Sequence, residues 1–164
     1  MRYFDFEDAF RHVYPRVTRT LMVISGDKEM SSRIAQEALG QAYAHWKKFQ
    51  KQDSPLNWVR CIAVNKLRDE MNNKEVVSKI DLTTILDLTT YETLEKAIRT
   101  PYAIDFVRAV SNLDTSERFV ATLSFIDDYS PSEIAMTLNR KEEEVLEDIS
   151  NARKSIRNNM SHTS

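Results

Sequence analysis

The chain has 164 residues, 41% of them hydrophobic and 29% charged, which suits one globular domain or two small ones. Two glycines and four prolines leave little room for the tight turns of sheet proteins, so the composition favours helices. The net charge of −2 lacks the basic excess of most nucleic-acid-binding proteins, and one cysteine excludes an internal disulfide framework.

The amino-terminal segment points to a cytoplasmic protein. Its first ten residues, MRYFDFEDAF, place acids where a signal peptide would be apolar. No apolar run approaches the roughly 20 residues that cross a bilayer, and a single cysteine fits a reducing compartment. We therefore expect a cytoplasmic protein that does not enter a membrane.

Three amphipathic helices are predicted in the first half of the chain. Apolar residues recur every three or four positions over residues 6–24, which indicates one buried helical face. Gly26 can end this helix, and Asp27 can cap a second one whose apolar stripe covers residues 30–49. Pro55 suits the first turn of a third helix.

The chain changes character in residues 76–104, which are rich in Thr and Asp and have leucines at no long period. We interpret this segment as a linker with some local structure. Helical periodicity then returns, and four short helices are predicted. The first covers residues 105–112, the second is capped by Thr115 or Ser116, and the third is capped by Ser130 or Ser132.

The fourth of these helices follows the corner at residues 139–141, which predicts the geometry of a helix-turn-helix. Its first turns are acidic, with Glu142, Glu143, Glu144, Glu147 and Asp148. DNA phosphates repel acids, so one interpretation is that this helix engages DNA weakly. Two others remain open: a solvated face whose acids complement the helix dipole, or glutamates that accept a hydrogen bond from cytosine N4.

Charge is unevenly distributed between the two halves. Residues 1–75 contain 13 Lys and Arg against 10 Asp and Glu, whereas residues 105–164 contain 7 against 11. No catalytic or metal-binding pattern appears, because His12, His45 and His162 are far apart in sequence and Cys61 has no His nearby on its helix. We expect neither an enzyme nor a metal or cofactor site, with His45 and Cys61 as core or boundary residues.

The chain resembles the extracytoplasmic-function sigma factors, small members of the sigma-70 family of bacterial initiation factors. Three stretches carry the resemblance: FEDAFRHVYPRVTRTLMVISGDKEMSSRIAQEALGQAYAHWKKF, SPLNWVRCIAVNKLRDEM and LDTSERFVATLSFIDDYSPSEIAMTLNRKEEEVLEDISNARKSIR. No single motif in them is specific, but together they cover most of the chain in the order and separation typical of the family. The resemblance implies an all-α protein with a domain 2-like unit at 1–75, a linker at 76–104 and a domain 4-like helix-turn-helix at 105–164.

The resemblance also assigns binding residues. The clamp helices of core RNA polymerase would contact Arg33, Gln36, Glu37 and Gln41. The −10 promoter element would be read by Asn57, Trp58, Arg60, Cys61, Asn65 and Arg68. The polymerase flap would hold the carboxyl-terminal unit, in which the −35 element would be read by Arg140, Lys141, Glu143, Glu144, Asp148 and Arg153.

Some of these assignments have a purely structural alternative. Trp58 at helical spacing with Ile62 is typical of a core residue, although an aromatic ring can also stack on an unpaired base. Gln36 and Glu37 can be ordinary solvated residues, and Arg33 stands where the family usually has an acid.

The resemblance favours a sigma factor that directs promoter-specific initiation, with core RNA polymerase and promoter DNA as partners and an anti-sigma factor as a further candidate. One alternative is a sigma-like protein that binds polymerase or a regulatory partner without reading promoters. Another is a free-standing helix-turn-helix regulator, which the low basicity of the chain disfavours.

Overall fold

Seven α-helices form the part of the chain that the computed structural model describes, namely residues 6–45, 47, 54–73 and 101–161. Their bounds, in chain order, are α1 Phe6–Ser25, α2 Lys28–Ala44, α3 Pro55–Asn73, α4 Pro101–Ser111, α5 Thr115–Ala121, α6 Pro131–Leu138 and α7 Glu142–Ser161. A π-helical turn, Thr122–Ile126, extends α5. These ranges contain no strand, so the predicted all-α fold is confirmed.

The first three helices begin where the sequence predicts, and α1 also ends there. Helix α2 ends at Ala44, earlier than the predicted apolar stripe that reaches residue 49. Gly26 adopts φ 69°, a left-handed conformation that ends α1, and its N–H donates to the carbonyl of Met22 at 2.8 Å. The carboxylate of Asp27 accepts from the N–H of Met30 at 3.0 Å and caps α2. Pro55 occupies the first position of α3, where the missing N–H costs no hydrogen bond.

The boundaries in the second half differ in detail from the prediction. Asp114 caps α5 by accepting from the N–H of Glu117 at 2.9 Å, so the predicted cap at Thr115 or Ser116 was wrong by one or two residues. The helix predicted from residue 105 begins at Pro101, again a proline in the first turn. The predicted linker and domain division covers residues 76–104. Residues 76–100 of this segment lie outside the described part of the chain.

The cap of α6 is the one predicted at Ser130. Its hydroxyl accepts from the N–H of Glu133 at 3.1 Å, and the Glu133 carboxylate accepts from the N–H of Ser130 at 3.1 Å. This reciprocal pair is a capping box. At the other end Asn139 adopts φ 51°, a left-handed conformation that asparagine tolerates, and it ends α6 before the turn to α7.

Helix α1 lies at the centre of the packing. All of its residues from 17 to 25 are buried except the partly exposed Arg19, a pattern typical of a helix covered on every side. One side of α1 contributes to a core shared with α2, α3 and the α5–α7 region, which includes Val17, Leu21, Ile34, Leu67, Phe119, Leu123, Ile134 and Val145. The opposite side contributes Met22 and Val23 to a second core with Val110, Leu113, Ala152 and Ile156.

The carboxyl-terminal helices therefore pack directly on the amino-terminal ones. Helices α6 and α7 are joined by a three-residue turn and bury Ile134, Leu138, Val145 and Ile149 on their inner sides. Their interpretation as a DNA-binding helix-turn-helix stays a prediction. None of the described helices is both long and apolar enough to cross a membrane.

Candidate nucleic-acid interface

The exposed face of α2 carries three of the four residues assigned to polymerase binding. Gln36, Glu37 and Gln41 are all exposed to solvent, as is Gly40 between them. Residues spaced by three and four positions lie on one side of a helix, so these side chains form a continuous polar surface. This surface is accessible to a partner.

Arg33, the fourth of these residues, links α2 to α3 through hydrogen bonds. Its guanidinium donates to both carboxylate oxygens of Glu70 on α3 at 2.7 Å each, and to Glu37 at 3.3 Å. The hydrogen bond with Glu70 is the main cause that raises the pKa of Arg33. This bidentate geometry fixes the relative orientation of the two side chains more strongly than a single hydrogen bond in a surface ion pair would. It holds α2 against α3 beside the exposed polar face.

The polar face of α3 is covered by the carboxyl-terminal helices. The side-chain amide of Asn65 donates to the carbonyl of Thr137 at 2.9 Å and to that of Cys61 at 2.8 Å. Arg68 donates to the carbonyl of Leu138 and, at 2.8 Å, to the side-chain oxygen of Asn65. Asn65 and Arg68 therefore bind the carboxyl-terminal end of α6.

The end of α6 is a good acceptor for these donors. The last carbonyls of a helix have no partner within the helix, and they carry the negative end of its dipole. The carbonyls of Thr137 and Leu138 belong to this group, and the cationic Arg68 together with Asn65 supplies the missing donors. The α3 side chains thus cap α6 from outside.

A second contact is centred on Tyr129, which is 7% exposed. Its hydroxyl donates to the side-chain oxygen of Asn57 at 2.8 Å and accepts from Arg60 at 3.4 Å. The Arg60 guanidinium also lies 5.4 Å from the centre of the Tyr129 ring, within range of a cation–π interaction. Burial raises the pKa of Tyr129, while the charge of Arg60 opposes that rise.

A buried carboxylate completes the contact. The side chain of Asp127 is fully buried and accepts from Arg19 at 3.0 Å and from Thr20 at 2.8 Å, while Arg60 lies 3.5 Å away. One carboxylate therefore faces two guanidinium groups, from α1 and α3. Within the described residues the Nε atoms of Arg19 and Arg60 have no hydrogen-bond acceptor, and burial lowers the pKa of Arg19.

Together these contacts form one interface between α3 and the carboxyl-terminal helices, the α3 interface. On the amino-terminal side it comprises Arg19, Thr20, Asn57, Arg60, Asn65 and Arg68, and on the carboxyl-terminal side Asp127, Tyr129, Thr137 and Leu138. It contains four of the six residues assigned to the −10 element. The same side chains thus hold the two parts of the chain together.

The remaining two −10 residues lie beside the α3 interface. Trp58 is half-buried and packs against the core that α1, α2 and α3 share with the α5–α7 region, as expected for a core residue. Cys61 is half-buried, with its sulfur 4.0 Å from the carbonyl of Thr137. Burial raises the pKa of the Cys61 thiol, so it stays protonated near neutral pH.

Residues assigned to the −35 element form a charge network at the start of α7. Arg140 donates to Asp148 at 2.7 Å and lies 3.7 Å from Glu144, and Ser116 also donates to Asp148, at 3.0 Å. Two of the five acids thus neutralise the arginine that precedes the helix. The spacing of four residues from Arg140 to Glu144 and again to Asp148 is a sequence signal for such pairing.

The other −35 residues are exposed. Lys141, Glu143 and Glu144 face solvent, and the exposed Arg153 has its guanidinium 5.7 Å from the centre of the Phe125 ring. The three bases assigned to the −35 element, Arg140, Lys141 and Arg153, are matched by the three acids Glu143, Glu144 and Asp148, so this set has no basic excess for a DNA phosphate backbone. Among the residues placed by the structure, no group of three or more His, Cys, Asp or Glu side chains could hold a metal ion.

Sequence reasoning missed the carboxyl-terminal half of the α3 interface. Asp127 and Tyr129 lie in the stretch DDYSPSE, which has the composition of a solvated turn. Thr137 and Leu138 take part through main-chain carbonyls, which no side-chain pattern reveals. The sequence places Asn57, Arg60 and Asn65 on α3 but gives no signal that they contact the carboxyl-terminal helices.

Comparisons with known proteins identify the amino-terminal helices. Residues 9–75, which contain most of α1 and all of α2 and α3, match the family described as sigma-70 region 2. Comparison with curated protein sequences gave no significant match. The match supports the predicted resemblance to the sigma-70 family over residues 9–75.

The fold is similar to that of a solved sigma factor. The structure of the sigma factor RpoE in complex with the anti-sigma factor NepR from Bartonella quintana superposes with a TM-score of 0.70. The similarity covers 99% of this chain and 100% of that one at 15% sequence identity. At this identity the likeness concerns the fold, and it extends over both the amino-terminal and the carboxyl-terminal helices.

Proposed function

We propose that this sigma-70 family protein, with region 2 in residues 9–75, binds core RNA polymerase and directs it to specific promoters. The observation that carries the proposal is the region 2 match, because it covers the helices that hold both the exposed face of α2 and the polar face of α3. A sigma factor acts by binding and positioning, so we expect no catalytic activity from the chain itself.

The proposal assigns the polymerase contact to α2. Gln36, Glu37 and Gln41 offer donors and acceptors on an exposed helical face, and Arg33 keeps that face fixed relative to α3 through Glu70. A face held by a second helix loses little freedom on binding, which favours affinity. We infer that the clamp helices of core polymerase bind here.

The proposal assigns the −10 contact to α3. Asn57, Arg60, Asn65 and Arg68 supply amide and guanidinium donors, which suit base edges and phosphates of an unpaired strand. Stacking on an aromatic ring would add about 1–3 kcal/mol per base, and Trp58 is the α3 residue of that type. Capture of unstacked bases would then favour promoter opening.

The carboxyl-terminal contact is proposed to depend on polymerase. The network of Arg140 with Glu144 and Asp148 leaves the start of α7 with little net positive charge. A helix tethered to polymerase meets promoter DNA at a high effective concentration, so weak intrinsic affinity is sufficient. The −35 element and the polymerase flap are the expected partners of α6 and α7. We expect the chain to act in the cytoplasm, bound to RNA polymerase.

The second candidate is a sigma-like protein that binds polymerase or a regulatory partner without reading promoters. The acidic start of α7 and the engagement of the α3 donors within the protein favour it. RpoE was solved in complex with an anti-sigma factor, and we propose an anti-sigma protein as a regulatory partner of this chain too.

Run-off transcription with purified bacterial core polymerase and genomic DNA fragments tests the proposal. A promoter-reading sigma factor yields discrete transcript starts that are absent with core polymerase alone. Asn65→Ala should reduce these starts about tenfold while core binding persists, since a good base contact contributes about 1–3 kcal/mol. Asn72→Ala, an exposed asparagine near the end of α3, is the matched control and should leave them unchanged.

Co-elution with core polymerase separates the two candidates. Binding to polymerase without any discrete start would contradict promoter reading and support the second candidate. Failure to bind core polymerase would contradict both.

A further inference from the structure

We propose that Gly40 is the point at which a helix of core polymerase packs most closely on α2, and that its missing side chain determines how near that helix approaches. The inference rests on the proposed function, because it concerns the polymerase contact of the same α2 face. It adds a residue that lies outside the assigned set, and it specifies the shape of the partner surface.

The chain has two glycines, and only one of them has a role within the fold. Gly26 adopts the left-handed conformation that ends α1. Gly40 lies inside α2 without a positive φ, so an alanine could adopt the same backbone conformation. Among the described residues, no atom lies within 4 Å of the position that a Cβ on Gly40 would occupy. Neither backbone conformation nor packing in the free protein therefore requires glycine here.

Glycine at position 40 also lowers the stability of the free protein. Inside a helix, glycine is less favourable than alanine by roughly a factor of five in the folding equilibrium constant, because glycine loses more conformational freedom on folding. Gly40 does not end the helix, since the C-cap of α2 is His45. A residue that destabilises the fold and has no role inside it is accounted for by a contact with another molecule.

The residues around Gly40 have the spacing of a helix-packing site. When two helices pack, a side chain of one inserts between four residues of the other, at positions i, i+3, i+4 and i+7. Two overlapping sets on α2 have this spacing and consist entirely of exposed residues: Arg33, Gln36, Glu37 and Gly40, and then Glu37, Gly40, Gln41 and Ala44. Gly40 belongs to both sets, so its missing side chain deepens two consecutive gaps on one face.

A helix is the occupant that fits these gaps. The two gaps are four residues apart, about 6 Å along α2, which matches successive side chains on one face of a partner helix. A helix satisfies its own main-chain hydrogen bonds, whereas a strand would present unpaired groups to α2, whose main chain has none to offer. Gln36, Glu37 and Gln41 border the gaps with donors and acceptors, and Gly40 leaves only main-chain carbon at the base. The fitting partner is a helix with a large apolar side chain opposite Gly40 and polar side chains around it.

Helix α2 is fixed in place beneath this face. Ile34, Ala38 and Leu39 are buried on its opposite side, and Arg33 forms two hydrogen bonds to Glu70 on α3. Because α2 cannot shift to relieve a clash, a side chain added at position 40 must displace the partner helix. Helix axes pack about 8–10 Å apart according to the side chains between them, and glycine permits the shorter distance.

Gly40→Ala and Gly40→Leu in the full chain test the proposal through two measurements, urea unfolding of the free protein and affinity for purified bacterial core polymerase. Gly40→Ala should raise the folding equilibrium constant about fivefold and weaken polymerase binding about fivefold. Gly40→Leu should weaken binding at least about thirtyfold, because a larger side chain overfills the gap. Ser150→Leu adds a similar side chain at an exposed position of α7 and should leave polymerase affinity unchanged.

Weaker polymerase binding by a free protein that is more stable than wild type supports the proposal, because a role within the fold would lower both quantities together. Unchanged affinity of Gly40→Leu would overturn it, as would an equal loss of affinity in Ser150→Leu. Lower stability of Gly40→Ala would also overturn it, since the fold would then need the glycine. If circular dichroism shows that Gly40→Leu loses helix content, Gly40→Ala decides alone. Unchanged affinity of the variants leaves the proposed function intact, whereas a wild-type chain that does not bind core polymerase would contradict both.

Discussion

Asp127, Arg19 and Arg60 form a group of buried charges, and burying charge in the protein interior costs hydration free energy. The carboxylate is fully buried between Arg19 and Arg60, and the Tyr129 hydroxyl bonds to Asn57 beside them. Removing one partner of such a group leaves the others buried and unpaired, which typically costs about 3–5 kcal/mol. Individual residues here therefore contribute strongly to the stability of the α3 interface.

Alkaline pH should lower the free energy of unfolding through ionisation of Tyr129. Burial raises its pKa above the usual value near 10, so the folded state retains the phenol proton while the unfolded state loses it. The stabilising contribution is complete below about pH 10 and declines as pH rises toward the folded-state pKa. Between pH 9 and 11 the free energy of unfolding in urea should fall more for wild type than for Tyr129→Phe. Equal falls in both proteins would contradict this assignment.

The acidic start of α7 should limit DNA binding by the free protein. Glu143→Lys reverses an exposed charge at this position, whereas Asp148 and Glu144 are engaged with Arg140. Affinity for duplex DNA should rise, and the slope of log affinity against log salt should steepen by about one per added phosphate contact. Glu7→Lys, an exposed reversal on α1, serves as the control. An unchanged salt slope for Glu143→Lys would show that α7 does not approach the phosphates.

At the scale of elements, local sequence signals account for most helix boundaries. Gly26 and Asp27 end α1 and cap α2 as predicted, and Ser130 forms the capping box of α6. These signals work because a cap bonds to a main-chain group only two or three residues away. The Asp114 cap was missed because three neighbouring side chains are all good caps, and only the fold selects among them.

Ser130 and Ser132, which the sequence leaves as alternatives, can be separated by mutation. Ser130→Ala removes the capping box and should lower the free energy of unfolding by about 1 kcal/mol. Ser132 is exposed on α6, and Ser132→Ala should cost less than about 0.5 kcal/mol. Urea denaturation of both variants provides the measurement. A larger effect at Ser132 would contradict the observed cap.

Sequence reasoning also predicted a single buried stripe for α1, whereas α1 is buried on nearly all sides. Residues 21–24 form the uninterrupted apolar run LMVI, which is the local sign of this burial. Its second side is covered by α4 and α7, whose sequence positions lie far from α1. Periodicity reports that a face is buried, but it does not report which distant helix covers it.

At the scale of the whole molecule, the candidate site was only partly predictable. The resemblance assigns Asn57, Arg60, Asn65 and Arg68 of α3 to the −10 element, which stays a prediction. In the structure these side chains meet Asp127, Tyr129 and the end of α6 rather than solvent. That contact joins residues about 70 positions apart through main-chain carbonyls and one buried acid. No short-range pattern encodes it. The proposed −10 surface on α3 therefore faces the carboxyl-terminal helices in this structure.

The most direct test of this account is a distance measurement between the two parts of the chain, in the free protein and on core polymerase. Donor and acceptor dyes are attached through His12→Cys on α1 and Asn151→Cys on α7, both exposed positions, in a Cys61→Ser background. The account predicts one short-distance population for the free protein and a longer distance once core polymerase is bound. An unchanged short distance in a complex that co-elutes with core polymerase would contradict it.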